Sequence, residues 1–199
     1  MCAGRCYAII QFVKINQILP YSRQRWLNLP FASHQYHRWL TEKGSLTARL
    51  QQKYADFYVE PVSVRDQKPA FEEATLLHMA ANDRAQIREV LLYGNGQPVV
   101  FAHSVLPRKS MHGEWRGLGR LGNKPLGAVL FASPEVKRTP LSYKKLTANH
   151  VLYQQAMRYA AGQPDYLWAR RSIFSLNCAS IMVVEVFLPN LIQPNLIQP

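Results

Sequence analysis

The sequence predicts an α+β domain in which helices cover one face of a single antiparallel β-sheet. Two strand pairs joined by turn chemistry carry that prediction. One runs Gln86–Tyr93, Gly94-Asn95-Gly96 and Gln97–Leu106, the other Ser172–Leu176, Asn177–Ser180 and Ile181–Leu188. The helical stretches lie before, between and beside these pairs. At 199 residues, 48% of them apolar and 18% charged, the chain can bury a core and is not of disordered composition.

Along the chain, residues 1–33 form an N-terminal extension. Its apolar run Tyr7–Val13 is cut by Lys14 and is too short for a signal peptide, so a loose segment or a docked arm is expected. Residues 34–54 are helical in two pieces. His34–Leu40 ends at Lys43-Gly44, and Ser45 then caps a helix that places Leu46 and Leu50 at i, i+4. Asp56–Arg65 alternates as a strand until Pro61 interrupts it, which marks an edge or a bulge. Phe71–Ala80 is a short helix. After the first hairpin come a glycine-rich loop (Gly113–Gly122), a short helix (Leu126–Phe131) and a longer one (Asn149–Ala161) stopped by Gly162. The last ten residues contain a second copy of the unit Pro189-Asn-Leu-Ile-Gln, and proline in each copy blocks a helix. The domain is therefore set at 34–189, with a disordered tail at 190–199.

Composition excludes several functions. No window approaches about 18 consecutive apolar residues, so no transmembrane helix or stable membrane insertion is expected. Cys2, Cys6 and Cys178 are too few for a disulfide framework or zinc cage, and their odd number points to free thiols in a reducing, cytoplasmic setting. The six histidines (His34, His37, His78, His103, His112 and His150) have no metal-ligand spacing. Gly117-Leu-Gly119-Arg-Leu-Gly122 matches GxGxxG, but no strand feeds it, so it is not a dinucleotide signature. The net charge of +12 attracts anions of any kind. It is spread along the chain with no cluster of five to eight basic residues, which argues against nucleic acid as the partner.

Two ionisable groups sit where apolar ones belong. Period two places Arg88 on one face with Val90 and Leu92, and Glu185 with Ile181, Val183 and Phe187. Such groups are almost never buried unless paired, and a carboxylate in an apolar site is pushed toward the pKa of a general acid or base. Either the two neutralise each other, or Arg88 pairs with adjacent structure, or both line a pocket for an anion. Two helix starts, Ser45-Leu46 and Lys124-Pro125-Leu126 with Asn123 as a possible cap, offer unpaired backbone amides. Arg170-Arg171 is a second anion clamp or a pair of solvated arginines.

The residues resemble the chorismate pyruvate-lyase family. The matching stretches are WLTEKGSLTARL (39–50), IREVLLYGNGQPVVFAHSVLP (87–107), LGNKPLGAVLF (121–131), LWARRS (167–172) and VVEVFLP (183–189), in the family's order. The resemblance implies a sheet whose helices enclose a buried ligand site, and a cofactor-free, metal-free reaction. That reaction takes chorismate to 4-hydroxybenzoate and pyruvate at the start of ubiquinone synthesis, and slow product release goes with it. It also implies ligand contacts at Arg88, Glu185, Leu46 and Leu126, the same four positions singled out on physical grounds. Leu46 stands where the family pattern has methionine, which matters little if the backbone makes the contact. Arg170 or Arg171 is left to meet the enolpyruvyl carboxylate. The segment 137–165 is longer than the family pattern by an extra helix, and the first twenty residues have no counterpart. A monomer is expected. The competing class is a non-catalytic small-molecule sensor of the same fold. The sensor domains of GntR-type regulators follow a winged helix-turn-helix, for which the fewer than 40 residues before the matched core are too few.

Overall fold

The computed structural model describes residues 25–111, 115–118 and 124–192. Seven strands form one antiparallel sheet: β1 (Tyr58–Gln67), β2 (Ala85–Gly94), β3 (Gln97–Pro107), β4 (Lys137–Arg138), β5 (Ser142–Leu146), β6 (Leu167–Leu176) and β7 (Ala179–Phe187). Their order is β1-β2-β3-β7-β6-β4, with β5 also pairing β6. Among the described residues six short α-helices accompany them, α1 (His37–Leu40), α2 (Leu46–Lys53), α3 (Phe71–Leu76), α4 (Arg108–Met111), α5 (Leu126–Leu130) and α6 (Val151–Ala156), with 3-10 turns at His34–Tyr36 and Pro189–Leu191.

Both hairpins close on two-residue turns. Asn95 and Gly96 take φ values of 53° and 67°, the left-handed pair that suits the twist of the flanking strands. Asp56 fixes this turn by accepting the amides of Asn95 (2.7 Å) and Gly96 (2.8 Å). The second turn is Asn177-Cys178, with Asn177 at φ 52°. It is tighter than the expected four residues because Ala179 and Ser180 already pair with Leu176 and Ser175. Gly94 serves close approach instead: a Cβ there would lie 2.3 Å from the Tyr54 ring. At Pro61 the register between β1 and β2 shifts, so the proline marks both a bulge and an edge strand.

Apolar side chains sort to the two faces by alternation. One face gathers Val90, Leu92, Val100, Trp168 and Phe187 against Trp39, Leu46 and Leu50 of α1 and α2, and Leu106, Phe174 and Ile181 against Leu130 of α5. The other gathers Ile87, Leu91, Phe101, Met182 and Val184 against Leu152 and Ala156 of α6. Helices thus cover the expected face, and α6 adds cover to the second.

Several boundaries differ from expectation. Segment 137–165 contributes β4 and β5 as well as a helix, and α6 stops at Ala156 rather than Ala161. Beyond it the chain tightens into three-residue turns, with Tyr159 N donating to the Ala156 carbonyl at 3.0 Å. The N-terminal segment docks where it is described: Leu27 and Tyr143 exchange both backbone hydrogen bonds, at 2.7 and 2.8 Å. The fold continues past residue 189. Asn190 and Leu191 are buried, and Lys53 Nζ donates to the Leu191 carbonyl at 3.0 Å. Cys2, Cys6, His112, the cap at Asn123, the last four residues of the GxGxxG match and residues 193–199 lie outside the described residues.

On the α6 face a polar cluster ties α3 to the sheet. His103 donates from Nε2 to Glu73 (3.0 Å) and from Nδ1 to Glu89 (3.4 Å), which requires the imidazolium form. Glu89 also accepts from Arg65 (3.0 Å), and Glu73 from the Ala70 amide (2.9 Å). Burial alone would lower the His103 pKa, but the two carboxylates outweigh it and push it up to about 9. A folded pKa above the unfolded value gives stability that is complete below the unfolded pKa and is lost as pH rises through the folded one. The urea midpoint therefore falls between pH ~6.5 and ~9.5 in the wild-type chain, and His103→Gln flattens that slope in chemical unfolding monitored by fluorescence.

Candidate active site

The α1–α2 and α5 segments roof a chamber over the central strands. Its empty volume, counting the open space at its mouth, is about 630 Å³. The floor follows from strand register. Arg88, Ser104, Val183 and Ser172 stand in one row across β2, β3, β7 and β6, and Ala102, Glu185, Arg170 and Tyr143 in the next, across β3, β7, β6 and β5. Leu46 and Thr47 from α2 and Pro125, Leu126 and Gly127 from α5 close the roof. The two lids touch: a Cβ on Gly127 would lie 3.0 Å from Thr47 Oγ1 and 3.1 Å from Ser45 Oγ.

The helix starts form as the sequence predicts at α2 and differently at α5. Ser45 Oγ caps α2 by accepting the Ala48 amide at 3.3 Å, leaving Leu46 as the first residue of the helix. At α5 the cap position belongs to Pro125, whose side chain accepts no amide. Leu126 again opens the helix.

Arg88 and Glu185 both line the chamber, and their partners differ from each other. Arg88, 7% exposed, donates from Nη2 to the Lys124 carbonyl at 3.3 Å, just ahead of α5. Burial draws its guanidinium below the usual arginine pKa. Glu185 is not set in an apolar wall, as its neighbours in sequence imply. Its Oε2 accepts a short hydrogen bond from Arg170 Nε, because the register places the two directly across β6 and β7.

Arg170 is the most deeply buried charge in the chamber, at 1% exposure. Its Nη1 donates to the carbonyls of Trp39 (2.9 Å), Leu40 (3.4 Å) and Glu42 (2.8 Å) at the end of α1. The last four carbonyls of a helix have no partner within it, and Arg170 supplies one from the sheet. Glu42 in turn is lowered in pKa, first by the Gly44 amide and then by Arg49 and Arg170. Arg171, one residue on, turns to the opposite face. It pairs with Glu72 at 2.6 Å and lies 4.1 Å from the Trp26 ring centroid, which removes it from the candidate site.

Thr47, Ser104 and Arg138 also line the chamber, and nothing local in the sequence singles them out. Arg138 on β4 donates from Nε to Ser172 Oγ and from Nη1 to the Lys43 carbonyl, both at 2.9 Å. Its guanidinium lies 5.0 and 5.4 Å from the ring centroids of Phe174 and Phe131. The available signal was period two from Arg170 through Ser172 to Phe174, which defines the face that β4 joins. Among the described residues, no group of three or more His, Cys, Asp and Glu could hold a metal ion, and no helix is long and apolar enough to cross a membrane.

An antiparallel sheet with two touching lids over a charged, buried chamber defines a small-molecule-binding α+β domain. The solved effector domain of PhnF from Mycobacterium smegmatis shares that fold, with a TM-score of 0.54 at 14% identity over 74% of this chain and 90% of that one. A family model described as chorismate lyase matches residues 21–196. The chain is 45% identical over 175 residues to a Methylobacillus flagellatus protein named "Probable chorismate pyruvate-lyase", covering 88% of this chain and 98% of the relative. A relative of the same name from Nitrosospira multiformis is 48% identical over 156 residues, covering 78% of this chain and 87% of its own. The chain belongs to the chorismate lyase family.

Removing Arg170 leaves Glu185 unpaired and three carbonyls without a donor. Arg170→Gln lowers the unfolding free energy by about 3–5 kcal/mol, whereas Arg171→Gln, whose Glu72 partner is half exposed, costs no more than about 1 kcal/mol; urea denaturation of the two variants distinguishes them.

Proposed function

We propose that this chain is a chorismate pyruvate-lyase, converting chorismate to 4-hydroxybenzoate and pyruvate as the first committed step of ubiquinone synthesis. The observation that carries the reading is a chamber that sets a buried guanidinium, Arg88, and a carboxylate, Glu185, on one floor without pairing them to each other. Membership of the family, with near-complete coverage of a named relative, supports the same reading.

Chorismate carries two carboxylates and an enolpyruvyl ether on a cyclohexadiene ring. The C4–H bond breaks and its electrons form the C3–C4 double bond. The C3–O bond breaks, and the departing enolpyruvate takes a proton on carbon to become pyruvate. The ring becomes aromatic, so the reaction needs no external electron sink, and the protein's work is positioning and exclusion of water. In this reading Arg88 and the amides of Leu46 and Leu126 hold the ring carboxylate through charge-assisted hydrogen bonds. Glu185 faces C4, where it receives the hydroxyl and accepts the departing proton. Arg170 is a positioning residue: it aims Glu185 and anchors the α1–α2 lid. The enzyme acts as a cytoplasmic monomer without nucleic acid, and the excess positive charge draws in a dianion.

Purified protein incubated with chorismate, without metal or nucleotide, releases 4-hydroxybenzoate and pyruvate in equal amounts. Binding without turnover would instead identify a sensor. Glu185→Gln lowers kcat far more than it weakens chorismate binding, while Arg88→Ala damages both, as steady-state kinetics beside direct titration will show. Full turnover in Glu185→Gln would remove the base role.

A further inference from the structure

The substrate differs from the aromatic product in one charge. Chorismate has a second carboxylate on the enolpyruvyl arm, and 4-hydroxybenzoate has none. The described lining of the chamber holds three guanidinium groups, Arg88, Arg138 and Arg170, and one carboxylate, Glu185. Arg170 is largely committed: Nε meets Glu185, Nη1 meets three carbonyls, and the side chain is sealed at 1% exposure, with only Nη2 left without a partner. Arg138 is placed differently. It stands on the far edge of the sheet from Arg88, with Nε and Nη1 fixed by a neutral hydroxyl and a neutral carbonyl. These two bonds and the flanking rings of Phe131 and Phe174 set the plane of the guanidinium while leaving its charge unneutralised by any carboxylate in contact. Burial lowers its pKa, and the charges of Glu185 and Arg170 both act on it, so it shares their chamber.

We propose that Arg138 receives the enolpyruvyl carboxylate and is the residue by which the site distinguishes chorismate from 4-hydroxybenzoate. This rests on the lyase reading of the chamber. The ring carboxylate lies toward Arg88 and the helix starts, and the ether arm extends across Glu185 toward β4. Arg138 then binds an anion present in the substrate and the leaving group and absent from the aromatic product. Its bond to the Lys43 carbonyl, in the loop that leads into α2, couples arrival of that anion to closure of the lid. The sequence expectation placed this contact on Arg170 or Arg171; the structure engages the first and turns the second away.

The test compares two ligands in Arg138→Gln, Arg138→Lys and Ser172→Ala. Chorismate is followed by kcat/KM and 4-hydroxybenzoate by direct titration, with thermal unfolding to confirm that each variant is folded. Arg138→Gln lowers kcat/KM for chorismate by about 10- to 100-fold through KM and changes the 4-hydroxybenzoate Kd by no more than about twofold. Arg138→Lys, which keeps the charge and loses the fork, falls between, and Ser172→Ala shifts the same ratio in the same direction. Equal loss of both ligands would make Arg138 a lid clamp only and overturn the proposal, as would unchanged kinetics for chorismate. If Arg138→Gln does not fold, the other two variants decide. A wild-type protein that neither binds nor converts chorismate would sink the lyase reading and this one with it. A wild-type protein that turns over, with the ligand ratio unmoved in the variants, would sink this one alone.

Discussion

The contact on which the site depends is the one between Arg170 and its four acceptors. A single guanidinium joins β6 to β7 through Glu185 and joins the sheet to the end of α1 through the carbonyls of Trp39, Leu40 and Glu42. Burying a charge this deeply is costly unless it is paired and hydrogen-bonded. The α1 carbonyls need donors and the arginine needs acceptors, so each offsets much of the other's desolvation, with Nη2 alone left unpartnered. The lid is therefore attached to the chamber floor by polar bonds as well as by the apolar contacts of Trp39, Leu46 and Leu50.

Period-two alternation then separates two chemistries on one sheet. Arg88, Glu185 and Arg170 fall on the lid side, and Glu89, His103 and Arg171 on the α6 side. In each case a neighbour one residue along carries charge to the opposite face: Arg88 and Glu89 on β2, Arg170 and Arg171 on β6. The α6 side answers its charges internally, with His103 between Glu73 and Glu89 and Arg171 on Glu72. On the lid side Arg88, Arg138 and Arg170 line the chamber together with one carboxylate, Glu185, so guanidinium groups outnumber carboxylates in that lining.

Much of this was legible in the sequence because it is local. The hairpins announce themselves through Asn95-Gly96 and Asn177, the α2 cap through Ser45, and the edge through Pro61. Arg88 and Glu185 were conspicuous as charges in apolar runs. What stayed hidden depends on contacts distant in the chain. Glu185 looks unpartnered until the register sets Arg170 across from it. Arg170 and Arg171 look alike until the strand is known to begin at Leu167, which fixes which one faces inward. β4 is only two residues long, and β5 reads Ser-Tyr-Lys-Lys-Leu, a pattern whose lysines conceal that Lys144 is buried and that Lys145 lies over the Tyr166 ring. Arg138 could not be recognised before β4 was.

The bulge at Pro61 has a meaning beyond the pairing of β1 with β2. Among the described residues β1 is the outermost strand on its side, and an open strand is a template on which a second molecule can build. Here proline removes a donor from the ladder, the break in pairing between Pro61 and Ser63 spoils its straightness, and Glu60, Arg65 and Asp66 line it with charge. An incoming chain would meet a bent, electrically mixed border. The same residue that first identified this strand as an edge thus also disfavours intermolecular sheet growth along it.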